Sequence, residues 1–390
     1  MSFERLFPGD RIGKRERVLR TLNHQPVDRA AIHEQLSYNG PVIGRILGRE
    51  IKGFGFSAAE VGEAIRRTLD SCFPIFADKG SGRESTADGF VLQHDHWTSW
   101  RVARPFRDER GASDWLEGRL RAMADSGLND HTAVQVERPG AAGPQVRFDA
   151  AVTGEQYRRK MRGLQSLVGE TVIIDFSFTG FCDLFDAMGL EIFTFFSLAY
   201  PRLLEDYLEV ALENELRRLQ AVADPALSPV ILIPEDFAAK HGPLFSPEFL
   251  GRCLYPYVRR LAAAWHGHGY KVLYHSDGNY REAIPELAAC GVDGFYCLEP
   301  GCGMDIVELR GRWPGLVWAG GVDGVNLMER GCPSEVRREV RRHILETGVL
   351  DSGGMLVATS SEINPQIPAE NFLALVEEVG ANPNPRFARP

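Results

Sequence analysis

The sequence lacks an apolar run long enough to cross a bilayer, which takes roughly 18 or more residues. Its greasiest stretch, residues 188–200, is shorter and is interrupted by Glu191. The opening MSFERLFPGD is charged and has no apolar signal core. Paired cysteines are also missing. There are seven, an odd number at scattered positions without a CxxC, so neither a disulfide framework nor a structural zinc knuckle is expected. Basic charge is in short supply: 44 Lys and Arg stand against 53 Asp and Glu, a formal net charge of -9. A chain that neutralises phosphates needs a basic face, so neither a nucleic acid nor a membrane surface is expected as a partner. Several signatures are absent as well: GxGxxG after an early strand, GxxxxGK[ST], GxSxG and HExxH. These absences leave a soluble, cytoplasmic chain of ordinary globular composition, 44% hydrophobic and 25% charged.

What is present is an alternation. Short apolar runs fall at residues 30–33, 73–77, 171–176, 230–234, 271–275, 294–298, 316–319 and 355–359. Nearly continuous apolar runs are the mark of strands buried on both faces. Amphipathic helical patterns separate them, for example at 201–222, 247–266, 280–290 and 333–347, and the spacing predicts a further helix over 14–22. Eight strand-helix units predict an α/β fold, a (β/α)8 TIM barrel forming a single domain over 1–390. The competing doubly wound sheet lacks its phosphate fingerprint. Residues 80–151 are too long and irregular for one crossover helix. They predict a β-rich insertion after the second strand, over the barrel mouth. The Pro-rich residues 380–390 predict a flexible tail.

Barrel chemistry sits at the C-terminal strand ends. The candidate catalytic groups are therefore His275, Asp277, Glu235, Asp236 and Glu299. His33, Glu34, Phe178, Tyr274, Tyr296, Asp323 and Ser361 are candidates for substrate contact, with Phe176 and Phe181 as further aromatics near the same ends. In YHSDGN (274–279), His275 and Asp277 lie two apart and can face one point; the alternative is a turn with Asp277 as a helix cap. In PEDF (234–237) only one of two adjacent carboxylates can point inward, and the same holds for His33 and Glu34. Asp323 and Ser360 are equally readable as helix caps. QHDHW (93–97) sets His94 and His96 two apart, which reads either as a metal pair or as a surface hairpin.

Residues 234–323 carry a set of motifs: the acidic pair with GPLFSPEFL (242–250), YHSDGNYREAIPELAACGVDGF (274–295), EPGCGMDIVELRGRW (299–313) and GGVD (320–323). FTGFCDLFDAMG (178–189) and IPAEN (367–371) join them. Together they resemble the uroporphyrinogen decarboxylase superfamily over most of the chain, and the resemblance implies a (β/α)8 barrel. The true porphyrinogen decarboxylases carry an N-terminal RQAGR arginine, a catalytic aspartate after the second strand and a late histidine. Here AIHEQLSYNG has no arginine, Ser361 stands at the histidine's place, and only Asp78 echoes the aspartate. The other branch resembles corrinoid-linked methyltransferases, which hold zinc through HxC and a later Cys. His275 matches that His, while Asp277 and Ser361 stand where the two cysteines would be. The resemblance implies a methyltransferase that demethylates a small methoxylated or methylated substrate onto a small corrinoid protein; with both cysteines replaced by hard ligands, a zinc site would use His275 and Asp277 with Glu362, Glu235 or Glu299. The alternative is a cofactor-independent decarboxylase or lyase acting on a small or porphyrin-like acid. A homodimer is one assembly the sequence allows.

Overall fold

The computed structural model describes residues 6–126, 135–136, 145–146 and 148–388. Its core is a ring of parallel strands: β1 (Ala31–Glu34), β2 (Ser71–Cys72), β3 (Val172–Ile173 and Asp175–Phe176), β4 (Val230–Pro234), β5 (Lys271–His275), β6 (Gly294–Tyr296), β7 (Val317–Val322) and β8 (Met355–Thr359). Each pairs with its neighbours in chain order, and β8 returns to β1. β3 closes the ring by changing sides at Ile174. Its first half pairs with β2 and its second half with β4, and the Ile174 amide still donates to the Cys72 carbonyl at 2.8 Å. The eight-unit alternation is thus a barrel, as the sequence predicts.

The second strand is where the reading of 73–77 is corrected. Pairing stops at Cys72, because Pro74 has no N–H to donate to a ladder. On β7 the pairing runs on to Val322. It passes through Gly320 at φ 113°, where a Cβ would meet the Leu298 amide nitrogen at 2.7 Å. The helix predicted over 14–22 forms as Lys14–Leu22. Its Val18 and Leu22 pack with Ala31, Val172, Val230, Val317 and Leu356 of the barrel interior, which plugs the N-terminal end. The long pattern at 247–266 is two helices, Pro247–Cys253 and Tyr255–Gly267. Pro256, which has no N–H for a continuous ladder, accounts for the break.

The insertion contains a three-stranded antiparallel sheet (Ser81–Ser85, Val91–Asp95, Thr98–Ala103), the helix Glu109–Ser126 and a two-stranded ribbon (Gln135–Val136, Gln145–Val146). The remainder, at 127–134, 137–144 and 147, lies outside the described residues. The sheet packs on loops at the C-terminal end of the barrel. Trp97 lies 6.4 Å from Tyr38 after β1, and Arg104 Nε donates to the Ala187 carbonyl, in the helix after β3, at 2.8 Å. The chain end departs from the expected loose tail as far as residue 388. Asn384, 3% exposed, donates through Nδ2 to the carbonyls of Val27 and Leu350 and so fastens the tail to the bottom of the barrel. Among the described residues, no helix is long and apolar enough to cross a membrane.

Candidate active site at the barrel mouth

β4 and β5 end side by side, with Pro234 in register with His275. The chain then turns at Ser276–Gly278. Gly278 sits at φ 77°, and a Cβ there would strike the Ala239 carbonyl oxygen at 2.7 Å, so the turn requires glycine. This turn places Asp277 beside His275. His275 Nε2 lies 3.4 Å from Asp236 Oδ1 and 3.8 Å from Asp277 Oδ1. One ligand atom from each of the three residues falls within 4.8 Å of the others. The Asp277 amide donates to Asp236 at 2.8 Å and the Gly278 amide to Glu299 at 2.5 Å, so the turn itself orients two of the carboxylates.

His275 and Asp277 line a cavity of about 370 Å³ at the C-terminal end of the barrel, within the size range of small-molecule sites, and Asp236 stands behind them at His275. His275, Asp277, Glu299, Ser360, Ser361, Glu362, Gln35 and Cys297 form its polar wall. Phe73, Phe176, Tyr296, Leu232 and Pro234 form the apolar one. No Arg or Lys is among these lining residues. Desolvation between the walls pushes the Asp277 carboxyl above its ordinary value; His275 pulls it down, and Asp236 and Glu299 push it further up. Burial also raises Glu362, with Asp277 adding to the shift. The Cys297 thiol donates to the Ser360 carbonyl at 2.7 Å, and burial lifts it well above its ordinary value.

The structure sorts the sequence candidates into two groups. His275, Asp277, Asp236, Glu299, Tyr296, Ser361 and Glu362 come together at the mouth. Glu235 faces away: it accepts from the Thr179 amide and hydroxyl and from the Cys182 amide, each at 2.6 Å. It thereby fastens the loop leading into the helix Phe181–Met188, and burial raises its carboxyl to about 7. Tyr274 is fully buried and donates to the Glu235 carbonyl at 3.0 Å. Glu34 is held by the Thr359 amide and hydroxyl at 2.7 and 2.9 Å. His33 points into the barrel interior, 3.1 Å from Ser71 Oγ, and burial lowers it to about 3. Asp323 caps the following helical turn through the amides of Val325 and Asn326. Phe178 is an aromatic neighbour of Phe176 at 6.4 Å. Asp78 receives the Gly80 amide and contacts His96 on the insertion. His94 and His96 separate: His94 turns to Ser99 and Glu84, while His96, at φ 49°, stacks on Phe54. Gln35, Phe73 and Cys297 were not among the sequence candidates, although each is the first residue after a strand, β1, β2 and β6 in turn.

Comparison with known proteins agrees with this architecture. The profile of the uroporphyrinogen decarboxylase (URO-D) family matches residues 166–381, more than half of the chain. No curated protein matches significantly. Among solved structures, a methyltransferase from Methanosarcina mazei superposes with a TM-score of 0.62 at 18% identity, covering 95% of this chain and 99% of that one. A sugar phosphate isomerase/epimerase from Parabacteroides distasonis gives a TM-score of only 0.27 at 12% identity, over 70% of this chain and 88% of that one. The barrel, its strand-end acids and the family profile converge: this chain belongs to the uroporphyrinogen decarboxylase (URO-D) family.

Proposed function

We propose that this protein transfers a methyl group from a small methylated substrate to the corrinoid of a partner protein. The observation that carries the reading is the convergence of Asp236, His275 and Asp277 on one point, beside a cavity whose lining holds no Arg or Lys. A decarboxylase acting on a many-carboxylate porphyrinogen needs cationic clamps for those carboxylates, and the lining supplies none. The fold likeness to a methyltransferase supports the same choice.

The donor set of one imidazole and two carboxylates suits zinc with nitrogen and oxygen ligands. His275 Nδ1 is buried without a partner among the described residues. No acceptor therefore fixes the tautomer that bares Nε2 for the ion, which predicts weaker zinc binding than in sites with that support. Zinc bound to Asp236, His275 and Asp277 would supply Lewis-acid polarisation of a substrate oxygen. Phe73, Phe176 and Leu232 would exclude water from the methyl group. The bond between the methyl carbon and its heteroatom breaks, its electron pair stays on that heteroatom, and the acceptor's electron pair bonds the methyl carbon. A released alkoxide takes its proton from water at the open mouth.

The test is methyl transfer to reduced cobalamin, followed by its absorption change, with methoxylated aromatics and methylated amines as donors. The zinc-loaded protein is expected to transfer, and His275→Ala to fail while remaining folded. Decarboxylation of uroporphyrinogen by the metal-free protein, with no methyl transfer from any donor, would overturn the reading.

A further inference from the structure

We infer that the mouth cavity takes a small methylated ammonium ion that also bears an oxygen, which deepens the proposed methyl transfer by naming its substrate class and rests on that reading. Four carboxylates, Asp236, Asp277, Glu299 and Glu362, stand at one mouth. A divalent ion on Asp236, His275 and Asp277 offsets two of them. Glu299 and Glu362 remain, and neither has an Arg or Lys within ion-pair distance among the described residues. The mouth is therefore negative with or without the ion, and a low-dielectric cleft of one sign concentrates ligands of the other.

The apolar part of the lining is largely aromatic, and Tyr296 lies 5.6 Å from the His275 ring. Phe73 and Phe176 lie 5.0 Å apart, and Phe73 and Tyr296 5.3 Å apart. Aromatic faces beside carboxylates form the environment that attracts a methylated ammonium, whose charge is spread over its methyl groups. An anion is repelled by this wall pair, and a neutral methoxylated ring gains nothing from the carboxylates. A second, independent feature points to a ligand. Tyr296 is 5% exposed and lines the cavity, and its hydroxyl makes no hydrogen bond to any described residue. That hydroxyl is not sealed in the core but opens to the cavity, where an oxygen on the ligand can take the place of water as its partner.

The test is calorimetric titration of the full-length protein, zinc-loaded and metal-free, with choline, with 3,3-dimethyl-1-butanol and with anisole. The alcohol copies the shape of choline with carbon in place of the charged nitrogen. Choline is expected to bind about tenfold or more tightly than its carbon copy. In Glu299→Gln/Glu362→Gln, checked for folding by its melting curve, that preference should collapse towards equality, and Tyr296→Phe should weaken choline without removing the preference for charge. Equal binding of choline and the alcohol, or no choline binding at millimolar concentration, overturns the inference. Methyl transfer from anisole without any preference for cations would sink the ammonium assignment and leave the transfer reading standing. A clear choline preference with no transfer from any donor would do the reverse.

Discussion

The two ends of this barrel treat buried acid in opposite ways. At the bottom, every buried aspartate is answered. Arg17 pairs with Asp28 at 2.7 Å and with Asp70 at 2.6 Å, and Arg29 pairs with Asp70 at 2.6 Å and with Asp10 at 2.8 Å. Despite full burial, the two arginines hold the Asp70 carboxyl well below its ordinary range. At the mouth, Asp277 and Glu362 are raised, and their near charges are other acids and one histidine. Compensated charge at the closed end fixes the plug helix Lys14–Leu22 on the ring. Uncompensated charge at the open end costs stability there and leaves a field that a bound ion or substrate can relieve.

The contrast can be broken most forcefully at the bottom. Asp70→Asn leaves two buried guanidiniums short of a partner and should cost about 3–5 kcal/mol in denaturant unfolding. The zinc affinity of the molecules that remain folded should not change. At the mouth the pattern should invert: Asp277→Asn replaces an anionic ligand by a neutral amide and removes a repelled charge together. Zinc affinity should then fall more than about tenfold, while the unfolding free energy moves by no more than about 1 kcal/mol. A loss of stability at Asp277 comparable to that at Asp70 would erase the distinction between the two ends.

A finer cut lies just below the mouth. Burial raises Glu34 from its ordinary 4.5 to about 8, against the pull of its Thr359 hydrogen bonds. The folded chain therefore keeps a proton that the unfolded chain releases first. The stability this contributes is complete below about pH 4.5 and is lost as pH rises through about 8. Glu34→Gln should flatten that part of the stability profile relative to the parent protein. An unchanged difference between the two proteins from pH 5 to 9 would contradict it. The smallest effect is expected at Cys297→Ser. A hydroxyl can keep the bond to the Ser360 carbonyl, so stability should shift within about 1 kcal/mol and zinc binding should persist. Loss of zinc in that variant would make the thiol part of the metal site.

The ring of strands was legible because parallel strands covered on both faces leave apolar runs such as VILIP and KVLYH. The second strand was not, since it is a Ser-Cys pair stopped by Pro74, and its apolar neighbours 73–77 imitate a strand. The tail misled because a Pro-rich composition says nothing of Asn384, whose side chain ties it down. At the site, the sequence placed acids at strand ends but could not assign direction. Glu235 and Asp236 are adjacent, and only the folded register shows that the first fastens a loop while the second faces His275. Glu34 and Asp323 likewise turned to amides, because strand-end carboxylates serve caps as readily as chemistry. Cys297 was invisible because a cysteine in an apolar run reads as core.

The most direct test of the account is the zinc retained per chain after dialysis, measured on the parent protein, His275→Ala and Asp70→Asn. The account predicts about one zinc on the parent and on the folded fraction of Asp70→Asn, following the one cluster of three ligands among the described residues, and almost none on His275→Ala. Zinc retained by His275→Ala, or none taken up by the parent at saturating concentration, would contradict it.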